Sequence, residues 1–259
     1  VQTLGEGVTT LVVNASDAAG NSGSLTSAVT VDLTPPVLTV NAIGGDNIIN
    51  SVEVLEAVAI SGSASVADAG QTVTVSFQNV DYTTQVLSDG TWEVTLPASV
   101  VQGLADGSYT VAVSMTDAAG NPATATQTLT RDADTLNLPT LTIGTISDDN
   151  FLNQAESLQD LNIGGTSNNL VEGQLVTVTL NNIQYSGTVA ADGSWTVTVP
   201  AADLGNLPDG DQLLVVVSAD TSGNPASAST SLVVLASEQV QPTLTMNVVA
   251  GDDVINATE

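Results

Sequence analysis

A chain of 259 residues is long enough to bury more than one ordinary hydrophobic core. Its 28 acidic side chains stand against a single basic one, Arg131, and a net charge of −27 excludes nucleic acid, whose phosphates require Lys and Arg. It equally disfavours anionic membrane surfaces, whereas cations are drawn to it. With neither Cys nor His, the chain has no disulfide framework, no thiolate zinc site and no imidazole base.

In chain order, the segment LVVNASDAAGNSGSLTSAVTVD (residues 11–32) reads as two strands around the loop Asp17–Asn21. The linker Thr34-Pro35-Pro36 follows, and proline there suits a stiff, extended connection. From Pro36 the sequence runs PVLTVNAIGGDNIINSVE, a first strand and an acidic loop. The stretches 72–77, 92–96, 109–114 and 123–129 then alternate apolar and polar residues with period two. Turn residues separate them at Asp89-Gly90, Asp106-Gly107 and the run Ala118–Pro122. About seven short strands in roughly 100 residues, with no helix expected, indicate an immunoglobulin-like β-sandwich. In the lettering of that fold, strands D and E are expected to flank Asp89-Gly90, and F and G to flank Asp117–Asn121.

After Leu138-Pro139 the pattern starts again with PTLTIGTISDDNFLNQAE, and after Gln241-Pro242 with PTLTMNVVAGDDVINATE. Pro36, Pro139 and Pro242 are 103 residues apart, as are Tyr82 and Tyr185, Trp92 and Trp195, Asp117 and Asp220, and Asn121 and Asn224. A period of this length marks a repeat protein. The expected organisation is all-β: the end of one repeat (1–34), two complete sandwiches (35–138 and 139–241) and the start of another (242–259). Neither terminal piece can close a sandwich by itself, so each is expected to be poorly ordered or completed by another molecule's strand edge.

The D-x-x-G-N loop, the D-[DN]-x-[IL]-N-x-x-E head, the D-G-[ST]-W turn and the proline-led linker together resemble the bacterial Ig-like repeats of giant RTX-type and biofilm-associated adhesins, over essentially the whole chain. The resemblance implies type I secretion, an extracellular position at the bacterial cell surface, neighbouring repeats as partners, and Ca²⁺ at the junctions stiffening a long stalk.

The residues themselves offer ligands of the right kind. Ca²⁺ takes six to eight oxygens at roughly 2.3–2.6 Å, and the heads supply Asp46, Asn47, Asn50 and Glu53, then Asp149, Asn150, Asn153 and Glu156, then Asp252, Asp253, Asn256 and Glu259. Asp and Asn also favour turns through bonds to their own backbone. Glu53 is the more telling residue, because a glutamate opening a strand has little value to a turn. In an Ig sandwich the head loop lies where the chain leaves and the F–G loop where it enters. Asp46, Asn47 and Glu53 are therefore expected to meet the linker acids Asp132 and Asp134 and the next repeat's Asp220. Asp32 is expected to meet Asp117 at the upstream junction. Like charges about 4 Å apart repel by on the order of 1–4 kcal/mol, and a divalent cation reverses that sign.

Other chemistry fits less well. Trp92 and Trp195 could stack on a sugar, but they hold one repeat position directly after a turn, as packing residues do. The D-x-x-G-N loops lack the following helix and the Lys of a phosphate loop. Paired carboxylates can hydrolyse glycosides, yet aromatic side chains amount to 3% of the chain, too few to hold a sugar. The reading is a non-enzymatic structural extender. Alternatives are an Ig-like module that grips a glycan or a host surface protein, and an accessory domain of a secreted hydrolase.

Overall fold

The computed structural model describes residues 4–236 and Thr245, and the chain divides into two units. The first comprises residues 1–138 with Ser222–Asn224; the second comprises 139–221 and the residues from Pro225 onward. The third head, with Asp252 and Glu259, lies outside the described residues.

The first unit opens with β1 (Gly7–Ser16) and β2 (Ser22–Val31), paired antiparallel as a sheet of their own. Along this hairpin Val8, Leu11, Val13 and Leu25 remain exposed. The sandwich follows as β3 (Leu38–Val40), β4 (Ile48–Ile49), β5 (Val58–Ala64), β6 (Thr72–Phe77), β7 (Val80–Gln85), β8 (Thr91–Leu96), a short helix α1 (Ala98–Gln102), β9 (Gly107–Thr116) and β10 (Pro122–Arg131). One sheet has the order β3-β5-β8, the other β4-β10-β9-β6-β7. Period-two patterning produces the core directly. In β8, Trp92, Val94 and Leu96 are buried while Thr91, Glu93 and Thr95 are exposed, and Val73, Val75 and Phe77 of β6 meet them in the same core.

Trp92 is buried as a packing residue, and a glycine makes the room. Gly62 faces Trp92 across the β5–β8 ladder. A Cβ at Gly62 would fall 2.0 Å from the Thr39 carbonyl oxygen and 2.4 Å from Trp92 Cζ2. Near the start of β9, the Tyr109 hydroxyl donates to the Ala105 carbonyl at 2.7 Å, the tyrosine corner typical of this class of sandwich.

Two details depart from expectation. The strand before Asp89-Gly90 is not D beside E: β7 pairs with β6, on the far edge of the five-stranded sheet. A two-residue turn, Gln78-Asn79, joins them with both residues at positive φ, which holds β7 to β6 as a tight hairpin. The helix α1 was also not expected. It follows Pro97, whose fixed φ is compatible with a helix start, and it carries the chain from β8 to β9.

The second unit contains β11 (Thr140–Ile143), β12 (Phe151–Asn153), β13 (Leu161–Asn168), β14 (Leu175–Leu180), β15 (Ile183–Val189), β16 (Ser194–Val199), α2 (Ala201–Leu204), β17 (Gly210–Ala219) and β18 (Pro225–Leu235). Its strands form one continuous ladder, β11-β13-β16-β15-β14-β17-β18-β12. The two faces are joined because β15 pairs with β14 along its length and with β16 at Thr188 and Val189. Gly187 permits that crossing, since a Cβ there would lie 2.2 Å from the Thr196 carbonyl oxygen. Trp195, Ile163, Leu180 and Leu214 lie in its core. At the position of the tyrosine corner stands Gln212, whose Nε2 donates to the Pro208 carbonyl at 3.0 Å.

Candidate functional site

The head loops are built from side-chain bonds to their own backbone. In the first, Asn47 sits at φ 69°; its Oδ1 accepts from the Ile43 N–H at 2.9 Å, and its own N–H donates to the Ile43 carbonyl at 2.7 Å. Asp46 Oδ1 accepts from the Ile48 N–H at 2.9 Å. The second head repeats this, with Asn150 on Ile146 at 2.9 Å and Asp149 Oδ1 on the Phe151 N–H at 2.9 Å.

The sequence leads one to expect Glu53 at the opening of a strand, and the structure does not place it there. It lies in a 3-10 turn, Glu53–Leu55, and closes a reciprocal pair with Asn50. Asn50 Oδ1 accepts from the Glu53 N–H at 3.1 Å, and Glu53 Oε2 accepts from the Asn50 N–H at 3.1 Å. Asn153 and Glu156 form the same pair at 3.0 and 2.9 Å. This is a capping box, in which a glutamate three residues on satisfies the orphan donor of the cap residue. The recurrence of Asn and Glu in the two described heads therefore has a structural cause.

The structure places the head loop of the first unit at the exit of its last strand. β4 pairs in parallel with the end of β10; Thr130 N–H donates to the Asn47 carbonyl at 2.9 Å and Asp132 N–H to the Ile49 carbonyl at 3.0 Å. Asp134 caps its own turn, accepting the Leu136 N–H at 3.1 Å. The segment Ser222–Asn224, which belongs to this unit, lies against the same end. Ser222 Oγ donates to the Asp132 carboxylate, Asn224 Nδ2 donates to the Asp132 carbonyl at 3.1 Å, and Asn224 Oδ1 accepts from the Ser51 N–H at 2.6 Å. Asp149, Asn150, Glu156 and Asp220 belong to the second unit.

At the other end of the first unit, Asp32 Oδ1 accepts from the Thr34 N–H at 3.1 Å. Asp117 spends both carboxylate oxygens on its own loop: Oδ1 accepts from Ala119 and Asn121 N–H at 2.9 and 2.8 Å, and Oδ2 from Asn121 Nδ2 at 2.8 Å. The Asn121 amide holds the Asp117 carboxyl below the usual range; partial burial opposes this, and the loop N–H groups add to the lowering. Asn121, whose amide is bonded to Asp117, links that loop to Asp32 by donating from Nδ2 to the Asp32 carbonyl at 3.2 Å.

Sequence reasoning missed Asp106, which it treated as a turn residue. Its carboxylate accepts from the Ala133 N–H at 3.0 Å, the Asp134 N–H at 2.8 Å and the guanidinium of Arg131, the chain's single basic side chain. Burial pushes the Asp106 carboxyl up, but the two N–H groups and Arg131 outweigh it, and the net shift is downward. Asp209 holds the Ala236 N–H in the same way at 3.0 Å. The signal was available: Asp106 and Asp209 are also 103 residues apart.

Among the described residues, no three carboxylates gather into a group able to hold a metal ion. The donor set nonetheless fits a hard cation in its chemistry, being all oxygen without a competing imidazole or thiolate. Asp46 and Glu53 each commit one carboxylate oxygen to the loop, at Oδ1 and Oε2. Glu53 Oε1 faces Gly44, where a Cβ would come within 3.5 Å of it and 3.2 Å of the Ile48 carbonyl oxygen. The absence of a side chain at Gly44 thus leaves room beside both a carboxylate oxygen and a carbonyl oxygen.

Residues 41–135 match the family described as the bacterial Ig-like domain. A solved structure of a Ca²⁺-stabilized adhesin that helps an Antarctic bacterium reach out and bind ice is 34% identical, covering 97% of this chain and 62% of that one, with a TM-score of 0.45. The chain thus spans under two thirds of that relative. A second, from a 1.5-MDa bacterial ice-binding adhesin, is 30% identical over 89% of this chain and 75% of that one, with a TM-score of 0.42. Fibronectin(III)-like modules of Clostridium thermocellum CbhA are 12% identical over 80% of this chain and the whole of theirs, with a TM-score of 0.50, a likeness of fold alone. No curated protein matches the chain.

Proposed function

The chain belongs to the bacterial Ig-like domains found as repeats in large adhesins, and from that premise we propose that it is a structural, non-catalytic extender whose junctions are stiffened by Ca²⁺. The observation that carries this reading is the 103-residue recurrence of an all-oxygen head loop, placed in the first unit at the exit of the last strand. The Ca²⁺-stabilized relative supports the choice of cation.

In the first unit Asp46, Glu53, Asp132 and Asp134 would hold the ion at the exit end, with Asp32 at the entry. Asp149 and Glu156 are the corresponding head residues of the second unit. Bound Ca²⁺ supplies positive charge where the chain has almost none, offsetting carboxylate repulsion. The chain's own residues do the rest: the capping box and the Asn47 turn preform each loop, and Asp106 fixes the start of the linker. Export by a type I route and a place at the bacterial surface, in cell adhesion or biofilm formation, belong to the same proposal. They are supported by the likeness to adhesin repeats. Small-angle scattering of the chain in millimolar Ca²⁺ and in chelator tests the stiffening. A larger, better-defined maximum dimension with Ca²⁺ is expected, and an unchanged one would overturn it.

A further inference from the structure

Asn121 carries out two tasks with one amide group. One Nδ2 hydrogen goes to Asp117 Oδ2, closing its own loop, and the nitrogen also donates to the Asp32 carbonyl. A primary amide has two donors, and both are used. Asp32 is the residue directly after β2, and its own carboxylate caps Thr34, turning the departing chain.

The contact recurs. Asn224 donates from Nδ2 to the carbonyl of Asp132, the residue directly after β10, within the same unit. The two pairs are separated by 89 and 92 residues. Identical contacts across unequal chain lengths are not a by-product of strict periodicity. The linker from Asp132 to Pro139 is three residues longer than the one from Asp32 to Pro36. Part of that length is taken up by a turn closed from Asn137 N–H to the Asp134 carbonyl at 3.1 Å.

The loop is ready-made before it docks. Asp17–Asn21 has the same internal bonds as Asp117–Asn121, with Asp17 Oδ1 accepting from Ala19 and Asn21 N–H at 2.9 Å each and Oδ2 accepting from Asn21 Nδ2 at 2.8 Å. Among the described residues, Asn21 Nδ2 donates to nothing beyond its own loop. The D-x-x-G-N loop therefore holds its shape without the second contact.

We propose that the D-x-x-G-N loop is a preformed docking surface, and that its asparagine latches onto the main-chain carbonyl of the aspartate that ends the last strand of another Ig-like repeat. The proposal rests on the extender reading but adds a junction contact that needs no metal. An amide nitrogen is not a Ca²⁺ ligand, so a chelator leaves the latch intact. The two devices are separable: Ca²⁺ acts on the carboxylates, and the latch on the backbone.

The test uses the whole chain, whose lack of cysteine allows two spin labels to be placed by Ser24→Cys and Thr95→Cys, both at exposed positions. Pulsed dipolar spectroscopy then reads the distance between β2 and β8 in Ca²⁺ and in chelator. A preferred distance that survives in chelator is expected. Asn121→Ala should raise the population outside it about fivefold, the factor set by one net hydrogen bond. Because that variant also weakens its own loop, a second measurement uses the wild-type chain. The side-chain amide protons of Asn121 should both show hydrogen-bonded temperature coefficients by NMR, those of Asn21 only one. An Asn121→Ala distribution that coincides with wild type, or amide protons of Asn121 that behave like those of Asn21, would overturn the latch. If Ca²⁺ still narrows the wild-type distribution in that case, the extender reading stands alone. A wild-type distance left broad by both Ca²⁺ and chelator removes both.

Discussion

Glu53 has two candidate tasks, and they can be separated by two substitutions at one residue. As the acid of the capping box it needs only an acceptor oxygen for the Asn50 N–H; as a Ca²⁺ ligand it needs charge. Glutamine retains the acceptor and serves in a capping box, whereas alanine removes acceptor and charge together. In chelator, Glu53→Ala should lower the stability of the first unit by about 1 kcal/mol, the usual cost of a lost cap. Glu53→Gln should stay within about 0.5 kcal/mol of wild type, as surface substitutions do when no such feature is lost. In Ca²⁺ the order changes. A cation at about a hundred times its dissociation constant stabilises the folded state by about 2.7 kcal/mol, and both variants should lose most of that gain. Urea unfolding read by hydrogen exchange in β5 and β8 confines the measurement to this unit. If Glu53→Gln falls as far as Glu53→Ala in chelator, the capping reasoning is wrong. A full Ca²⁺ gain in Glu53→Gln would remove Glu53 from the ligand set.

Asp106→Asn should destabilise the first unit by about 2 kcal/mol, because a charged acceptor of three donors is replaced by a weaker one beside a largely buried Arg131; thermal denaturation measures this. Its folded pKa lies below the unfolded value, so its contribution is present above that value and lost as pH falls through the folded one. Acid titration of wild type and Asp106→Asn should therefore converge at low pH and diverge above it. Gly62→Ala should cost about 3 kcal/mol or prevent folding, since its methyl would meet the Thr39 carbonyl at 2.0 Å. Equal melting temperatures for that variant and wild type would refute the packing account. Replacing Gln78-Asn79 by Asn-Gly should raise stability by about 1 kcal/mol in chemical denaturation, because both positions sit at positive φ.

Features encoded by residue type were legible in the sequence, and features encoded by pairing were less so. Alternation in 72–77 and 92–96 placed β6 and β8, and the Asp-Gly and Ala-Gly-Asn turns separated the strands around them. The edge position of β7 was not legible, because its turn is Gln78-Asn79 and contains neither Gly nor Pro; Asn181-Asn182 conceals the corresponding turn of the second unit. The heads were read as clusters of cation ligands because Asp, Asn and Glu recur there. The same three residue types also build an Asx turn and a capping box, and only hydrogen-bond geometry separates those uses. Asp106 stayed hidden behind its glycine. Tyr109 was visible as a strand residue, but its bond to Ala105 required the fold.

The parallel pairing of β4 with β10 has a mechanical consequence. β4 lies toward the entry of the sandwich sequence and β10 is its last strand, so pulling on the two ends drives them in opposite directions along a common axis. The bonds from Thr130 to Asn47 and from Asp132 to Ile49 are then loaded in shear and must yield together rather than peel one by one. Asp106 adds its grip on Ala133 and Asp134 just beyond them. β12 and β18 repeat the parallel arrangement in the second unit. Each sandwich thus meets tension along the chain in shear, the load that an extender of the kind proposed above would carry.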